Sequence, residues 1–390
     1  MITALSWIPK GAAKAMPDRA GLPSKEEIEK LKESWKFVSG DEEEEETEDE
    51  EDNGEISHAK AVAEEFGKSS KSKNASSSME VDAVDDGLKE LDMDNYDEED
   101  DEIEIFSSGR GDLYYKRNFL AVGSDQTPII EIWDLDVRFE VLPCVQLGGQ
   151  NEEGNYKEGS HTESVLGLAW NKEFRNILAS ASADKNVKVW DVATGTCKIT
   201  MDHHTKKVQA VAWNHYAPEV LLSGSFDQTV VMKDGRQPSH SGFKWSVMSD
   251  VESLAWDPHS EHSFVVSLED GTVMGFDVRQ ASTSASNSNP SFTINGHNEA
   301  ATSVSYNISA PNLLATGSMD QSVKLWDLSN NEPSCIATHT PNAGGLFSIA
   351  FSMDNPFLLA MGGVRGELKF WDTLSDTNVS SRYGSRQFRP

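Results

Sequence analysis

The strongest constraint on the fold is a series of aromatic residues at nearly equal intervals along the last two thirds of the chain. Short apolar runs end in an aromatic residue at positions 170, 213, 256, 306 and 351, which gives steps of 43, 43, 50 and 45 residues. A second series, in which each member directly precedes an aspartate, falls at 190, 233, 276, 326 and 371 and advances by the same four steps. Two markers that move together at ~40–45 residues are typical of the WD40 repeat.

Each copy consists of apolar runs of about four to seven residues separated by Gly, Ser and Asp turns, which is the pattern of β-strands. One four-stranded unit cannot bury both of its faces, so consecutive units must pack side by side around an axis. The sequence therefore predicts an all-β fold, a WD40 β-propeller over 116–374 with about six recognisable blades. A partial copy at 119–134 precedes the clear ones, and we predict that this first blade is incomplete.

Polar residues recur at fixed places in the repeat, with a histidine before the first run and an aspartate in the turn before the third. In WD repeats such a histidine, a strand Ser or Thr, the turn aspartate and the tryptophan indole form a hydrogen-bonded tetrad, which satisfies polar groups inside the blade. The fullest predicted tetrad is His161, Ser180 or Ser182, Asp184 and Trp190. The other residues predicted to take part in tetrads are His204, Asp227, Asp270, His297, Asp320, Trp326 and Trp371.

Histidine, serine and aspartate together also describe a hydrolase triad. The combination recurs once per repeat, however, and repetition favours a structural role over a single active site. Other chemical motifs are isolated, because His259 and His262 have no evident third metal ligand. We therefore expect a protein that is not an enzyme and that uses neither a metal nor a cofactor.

The negative charge of the chain is concentrated in residues 1–115. That region holds 34 Asp and Glu against 13 Lys and Arg, a net of −21, within a total of −31. Eleven of the twelve residues at 41–52 are acidic, and a self-repelling run with nothing apolar to bury stays unfolded. We predict a mostly disordered region with a short helix near 25–38 and a strand at 2–8 that pairs with the propeller.

An acidic balance argues against sequence-blind binding to nucleic acid, because affinity for phosphates comes from Lys and Arg. It suits basic partners such as histones, although a tail that only keeps the protein soluble is an equally good interpretation. Ser39 and Thr47 each precede an acidic residue by three positions and are candidate sites for acidophilic kinases. Residues 375–390 are predicted to form a basic tail.

Cysteine usage and hydropathy bear on the compartment. The chain has three cysteines, which are widely separated and have no CxxC spacing, as expected for a reducing compartment without structural zinc. The N-terminal residues lack the apolar core of a signal peptide, and no run approaches the ~20 apolar residues of a membrane-spanning helix. We expect a soluble intracellular protein that does not contact membranes.

A set of more particular motifs points to one family. They are ITALSW at 2–7, SKEE at 24–27, LDMDNYD at 91–97, IEIWD at 130–134, SHT at 160–162, LAWN at 168–171, LASASAD at 178–184 and VLLSGS at 220–225. On these motifs the chain resembles the periodic tryptophan protein 1 family, and its plant members most of all, over nearly the whole length. The resemblance implies a protein of the nucleus and nucleolus that acts in ribosomal RNA production. It would be a monomer within a larger complex of pre-ribosomal particles or ribosomal DNA chromatin, with RNA contact indirect.

The chain departs from the family pattern before the first clear strand. Family members have several dozen residues, including early propeller strands, between the acidic segment and this strand, whereas here Tyr115 is followed directly by Lys116. Seven blades are expected for the family, but at ~43 residues per blade the remaining length holds roughly six. The resemblance therefore implies a shortened form.

Three functions are compatible with these features. The first is a scaffold in ribosome biogenesis, and the second is a histone- or chromatin-binding regulator of transcription that uses the acidic region. The third is a substrate receptor of a cullin-type ubiquitin ligase, since Asp-x-Arg motifs ending at Arg236 and Arg279 lie 43 residues apart. The alternative interpretation of both arginines is a salt link on the propeller rim.

Overall fold

The computed structural model describes residues 18–19, 118–124, 127–138, 141–151, 154–237, 239–280 and 289–384, all within one compact unit. In chain order the strands are β1 (Asp18–Arg19), β2 (Phe119–Gly123), β3 (Ile129–Asp134), β4 (Val137–Arg138), β5 (Val145–Gly148), β6 (Val165–Trp170), β7 (Ile177–Ser182), β8 (Val187–Asp191), β9 (Thr196–Met201), β10 (Val208–Trp213), β11 (Val220–Ser225), β12 (Thr229–Asp234), β13 (Phe243–Ser246), β14 (Val251–Trp256), β15 (Ser263–Leu268), β16 (Thr272–Asp277), β17 (Phe292–Asn295), β18 (Ala301–Tyr306), β19 (Leu313–Ser318), β20 (Val323–Asp327), β21 (Ser334–His339), β22 (Leu346–Phe351), β23 (Leu358–Gly363) and β24 (Leu368–Asp372). A single α-helix among these residues, α1 (Thr377–Tyr383), follows the last strand.

The strands form six antiparallel sheets, which are the blades of a propeller. Blade 1 is β2-β3-β5, blade 2 is β6 to β9, blade 3 is β10 to β13, blade 4 is β14 to β17, blade 5 is β18 to β21 and blade 6 is β22-β23-β24. A separate two-stranded parallel pair joins β1 to β4. The predicted WD40 propeller with about six blades is therefore confirmed, and blade 1 has three strands in the described residues.

Neighbouring blades pack through their inner strands, which lie side by side from β2 to β22. Every residue is buried in β7, β11 and β19, the second strands of blades 2, 3 and 5. The continuous apolar runs of these strands match this burial, because adjacent blades cover both faces. The outer strand β9 instead alternates between exposed and buried residues over its last four positions.

The apolar core is divided into five clusters, and each cluster draws its residues from two consecutive blades. One of them joins Ile177 and Val189 of blade 2 to Val208 and Trp213 of blade 3. The other four lie between blades 1 and 2, 3 and 4, 4 and 5, and 5 and 6. Stability therefore comes mainly from nearest-neighbour interfaces, as in other repeat architectures.

Close approach of the blades explains a glycine in the second strands of blades 3 and 5. A Cβ atom on Gly224 would lie 2.5 Å from Val251 Cγ1, and one on Gly317 would lie 2.9 Å from Ile349 Cγ2. Both contacts are made with the innermost strand of the next blade. The small-residue pairs that mark the repeat are therefore required by packing between blades.

Buried asparagines link blades at the end of the innermost strand. Asn171, Asn214 and Asn307 directly follow its terminal aromatic residue, and each side-chain oxygen accepts two backbone N–H groups of its own turn. Each side-chain amide donates to a backbone carbonyl of the next blade, 47 to 49 residues further along the chain. In blade 4 this position is Asp257, which has no amide to donate, and His259 Nε2 donates to the Asn307 carbonyl at 3.0 Å instead.

Substitution of Asn307 by aspartate tests this link. Aspartate keeps the oxygen that accepts the N–H groups of the turn but has no amide to donate to the Pro356 carbonyl. It also places a negative charge next to that carbonyl. We expect the free energy of unfolding at pH 7 to fall by about 2–3 kcal/mol, as urea denaturation would measure. Asn330→Asp is the matched control, because Asn330 is exposed and has a φ of 61° that aspartate also adopts. Equal effects of the two substitutions would contradict a linking role.

The packed domain extends past the boundary predicted at residue 374. Asp376 caps α1 through the backbone N–H groups of its first turn, and Val379 and Tyr383 are buried against blades 5 and 6. Arg382 forms an ion pair with Asp327 of blade 5. Val379 and Tyr383 are four residues apart, so they lie on one face of the helix, and this face is buried. The segment was predicted as a tail because its overall composition is basic.

Several sequence predictions lie outside the described residues. They are the disordered region, the helix near 25–38, the strand at 2–8 and the candidate phosphorylation sites Ser39 and Thr47, and all of them remain predictions. The three cysteines lie within the described residues, and none of them forms a disulfide there. Among the residues that the structure describes, no helix is both long and apolar enough to cross a membrane.

Candidate functional site

The histidine, serine, aspartate and tryptophan of blade 2 meet inside the blade. His161 Nδ1 lies 2.8 Å from Asp184 Oδ2, and His161 Nε2 lies 2.7 Å from Ser180 Oγ. Trp190 Nε1 donates to the same Ser180 oxygen at 2.8 Å. Ser180 is thus the tetrad hydroxyl, whereas Ser182 Oγ donates to a backbone carbonyl at position 163.

The Ser180 hydroxyl and the Asp184 carboxylate hold the histidine of this tetrad in place. An indole N–H can only donate, so the Ser180 oxygen accepts from Trp190, and the same oxygen lies within hydrogen-bond distance of His161 Nε2. Burial raises the pKa of Asp184, but the interactions with His161, together with hydrogen bonds from the backbone N–H groups of residues 162 and 186, leave that pKa below its usual value. The imidazole is thus held between a carboxylate and a hydroxyl.

Blade 5 repeats this arrangement with threonine in place of serine. His297 Nδ1 lies 3.0 Å from Asp320 Oδ2, and His297 Nε2 lies 2.7 Å from Thr316 Oγ1. Trp326 Nε1 donates to Thr316 Oγ1 at 2.9 Å. Burial lowers the pKa of His297, so this imidazole is held neutral.

Blade 3 forms the tetrad with a second histidine where the other blades use tryptophan. His204 contacts Asp227 at 3.1 Å and Ser223 at 2.9 Å, but Lys233 stands at the tryptophan position. His203 Nε2 lies 2.9 Å from the same Ser223 oxygen and can supply the N–H that the indole supplies elsewhere. The repeat pattern predicts no role for His203, because its contact compensates for the lysine that stands in place of tryptophan 30 residues further along the chain.

The environment of His203 predicts a pH dependence of stability. Burial, with smaller effects from His204 and Lys233, lowers the pKa of His203 to about 3, against ~6.5 in an unfolded chain. The folded pKa is depressed, so the associated stability is fully present above about pH 6.5 and is lost as pH falls toward 3. We expect this group alone to remove about 2 kcal/mol of stability between pH 7 and pH 5.

Urea denaturation of the wild type and of His203→Gln at both pH values measures this effect. Glutamine retains an N–H donor for Ser223 but does not titrate, so the variant should lose about 2 kcal/mol less than the wild type on going from pH 7 to pH 5. The remaining carboxylates and histidines are common to both proteins and cancel in the comparison. The same loss in both proteins would show that His203 does not become protonated on unfolding.

Two residues assigned to tetrads do not belong to one. At the blade 4 positions that match His161, Ser180 and Trp190 stand Val247, Val266 and Phe276, all buried, so Asp270 in the turn has no histidine and is exposed. These three residues belong to an apolar cluster in which Trp245 packs edge-on against Phe264 at a ring distance of 5.0 Å.

The same applies to Trp371 in blade 6. The matching positions there hold Asn342, Met361 and Arg365 in place of the histidine, serine and aspartate. Trp371 instead stacks on His339 of blade 5 at a ring distance of 4.8 Å. Trp371 thus packs between blades 5 and 6, and residues of other types occupy the remaining tetrad positions of blade 6.

The tetrads cannot act as catalytic triads. Ser180 and His161 are fully buried, and the serine hydroxyl already forms hydrogen bonds with both the Trp190 indole and the imidazole. A nucleophile must reach its substrate, and this hydroxyl has no path to solvent. Within the described residues, no group of three or more His, Cys, Asp or Glu side chains is placed to hold a metal ion.

The two rim arginines fold back onto the aspartates of their own motifs. Arg236 Nη2 lies 2.7 Å from Asp234 Oδ2, and Arg279 Nη2 lies 2.7 Å from Asp277 Oδ2. The hydrogen bond from Arg279 holds the pKa of Asp277 below its usual value. This geometry matches the salt-link interpretation.

A ligase-adaptor contact remains a proposal, and loss of adaptor binding in the double variant Arg236→Ala, Arg279→Ala would support it.

The family model described as "WD domain, G-beta repeat" matches residues 155–191, 195–232 and 288–327. These three stretches contain the histidine and aspartate of blades 2, 3 and 5, the blades in which the polar network is present.

Three relatives are similar to a WD-repeat portion of the chain. The periodic tryptophan protein 1 homolog of Drosophila melanogaster is 40% identical over 20% of this chain and 17% of its own length. Periodic tryptophan protein 1 of Saccharomyces cerevisiae is 38% identical over 20% of this chain and 16% of its own length. An uncharacterised WD repeat-containing protein of Schizosaccharomyces pombe is 40% identical over the same share, 20%, and 17% of its own length.

The matched portion therefore spans about a sixth of each relative, and over that portion the predicted resemblance is confirmed. The chain is a WD-repeat β-propeller protein whose repeats are similar to those of periodic tryptophan protein 1.

Proposed function

We propose that this protein is a non-catalytic WD-repeat scaffold of nucleolar ribosome biogenesis, acting in ribosomal RNA processing or transcription. It would dock proteins of pre-ribosomal particles or of ribosomal DNA chromatin. The observation that carries the proposal is the similarity of its repeats, at about 40% identity, to periodic tryptophan protein 1. The resemblance to that family, which the sequence motifs quoted above carry, implies a role in ribosomal RNA production.

The structure supports a scaffold role in two ways. The tetrad side chains, His, Ser and Asp in blade 2 and His, Thr and Asp in blade 5, form hydrogen bonds inside the blades and hold their geometry. The blades thus supply a rigid frame whose loops and edges are available to partners. The net charge of −31 favours docking to proteins over direct binding of RNA phosphates.

Fractionation of cells that express a tagged full-length chain tests the proposal. We expect the protein in the nucleolar fraction and in gradient fractions with pre-ribosomal particles, and ribosomal RNA precursors should co-purify. A tagged Thr338→Val variant, changed only at an exposed position of β21, is the matched control and should behave identically. Exclusion from the nucleolus, or sedimentation only as free protein, would refute the proposal.

A second function, histone or chromatin binding, is supported by the acidic run at 41–52. Charge complementarity to basic histone tails would be screened by salt. Histone pull-down by the full-length chain should be lost when these carboxylates are replaced by their amides. Neutralisation of the acidic residues at 97–102 provides the matched control. Equal capture by all three proteins would exclude the run as the binding element.

A further inference from the structure

The repeat places five equivalent residues around one cavity at the ends of the innermost strands. Each lies two positions after the terminal aromatic residue of its strand, in blades 2 to 6. The five are Lys172, His215, Pro258, Ile308 and Met353. The cavity, called here the axial cavity, has a volume of about 300 Å³. Its size falls at the lower end of the range of ligand pockets in proteins.

The inner wall of the axial cavity is aromatic. It is formed by Trp213, Trp256, Tyr306 and Phe351, the last residues of four innermost strands. Trp213 Nε1 donates to a carbonyl of blade 2 at 3.1 Å, and Trp256 Nε1 donates to a carbonyl of blade 3 at 3.2 Å. Both indole N–H groups are therefore occupied, and the rings offer an apolar surface to any occupant.

The rim on the side of blades 2 and 3 is polar and basic. Lys172 Nζ lies 3.3 Å from His215 Nδ1. Burial by the surrounding residues, with the nearby Lys172 charge, lowers the pKa of His215 to about 4, so the imidazole is neutral. Because Nδ1 accepts from the ammonium group, the imidazole proton is on Nε2. The pair thus presents an ammonium group and a ring N–H as hydrogen-bond donors.

The rim on the side of blades 5 and 6 is apolar. Ile308 and Met353 are 42% and 41% exposed, which is high for such side chains at the edge of a cavity. Glu173, the acidic neighbour of Lys172, does not line the axial cavity but lines an adjoining cavity of about 180 Å³, which shares Lys172, His215 and Trp213 with it. Within the axial cavity, the Lys172–His215 pair therefore has no carboxylate among its neighbours and lies next to the aromatic wall.

We propose that the axial cavity is a docking site for an acidic peptide of a partner protein. One aromatic or large aliphatic side chain would enter between the aromatic wall and Ile308, and a neighbouring carboxylate would pair with Lys172 and His215. This inference deepens the proposed scaffold role by naming a docking surface. Its test is independent of where in the cell the protein works.

Charge favours a peptide over single-stranded nucleic acid, which could also stack on aromatic rings. Among the side chains that line the axial cavity, Lys172 is the sole ammonium or guanidinium group, and burial lowers its pKa, while His215 is neutral. One carboxylate beside an apolar anchor matches one cation. A nucleic acid brings a phosphate with every nucleotide and draws its affinity from several Lys and Arg contacts.

Fluorescence anisotropy with the full-length protein tests this proposal. The probe is a dye-labelled Glu-Phe-Glu peptide flanked by glycines, compared with versions that carry glutamine for glutamate or alanine for phenylalanine. We expect saturable binding below about 1 mM, weakened at least about tenfold by either change in the peptide. Lys172→Ala and Ile308→Glu should each weaken binding of the parent peptide by about tenfold or more.

Lys198→Ala is the matched control, because it removes an exposed lysine from the outer strand β9 and should leave the affinity unchanged. Thermal denaturation of all variants checks that the propeller is folded. The proposal is overturned if the wild type does not bind the peptide at about 1 mM, or if Lys172→Ala and Ile308→Glu bind as tightly as the wild type. Binding of an RNA oligonucleotide in place of the peptide, lost in the same two variants, would also overturn it. A protein that binds the peptide but is excluded from the nucleolus would refute only the proposed function.

Discussion

Replacement of Thr316 by valine is expected to lower the free energy of unfolding by about 2–5 kcal/mol, because it leaves two buried polar groups without a partner. Valine matches threonine in shape, so packing is preserved. The hydroxyl, however, is the partner of both His297 Nε2 and the Trp326 indole N–H in blade 5. Each buried group that loses its hydrogen bond costs about 1–3 kcal/mol.

Urea and thermal denaturation measure this loss, with Thr338→Val as the control. Thr338 is exposed on the outer strand β21 of the same blade, so its hydroxyl can be replaced by a methyl group at little cost. A Thr316→Val protein as stable as the control would show that the polar network does not stabilise the blade. In a double-mutant cycle, Trp326→Phe should cost less stability in the Thr316→Val background than in the wild type, because there it also removes an unpaired donor.

Replacement of Tyr383 by alanine is expected to lower the free energy of unfolding by about 3–4 kcal/mol, the usual range for a buried aromatic residue. Tyr383 is 3% exposed and packs with Val379 against blades 5 and 6. Its loss leaves a space at the point where α1 meets the propeller. The helix has only seven residues and depends on this contact, since isolated helices of that length are not stable in water.

Ser381→Ala provides the control within the same helix, because Ser381 is exposed. It should change stability by less than about 0.5 kcal/mol. Hydrogen exchange of the α1 amides gives a second measurement, and these amides should exchange faster in Tyr383→Ala than in the control. A variant that unfolds at the wild-type urea concentration would mean that residues after 374 contribute nothing to the domain.

Most of the fold was predictable from the repeat, and the outer strands were not. The first three strands of each blade are apolar over most of their length because other strands surround them, which gives a clear sequence pattern. The fourth strands, such as β9, have alternating or short patterns because one face meets solvent. Their residues resemble those of turns. Only strand pairing in the structure identifies them, as the pairing of β9 with β8 shows.

The tetrads were predictable only where all members are present. The steps between blades place the counterparts of His161 at 204, 247, 297 and 342. The second of these positions is a valine and the fourth is an asparagine. Asp270 was assigned to a tetrad from its turn alone, although the position of its histidine partner holds Val247. His203 could not be predicted, because its contact with Ser223 depends on the space that Lys233 leaves.

Each of the five apolar clusters is shared by two consecutive blades and by no third one. A core substitution in one cluster therefore disturbs directly only the joint between its two blades. The other joints keep their own contacts and continue to support the loops and edges that partners can reach.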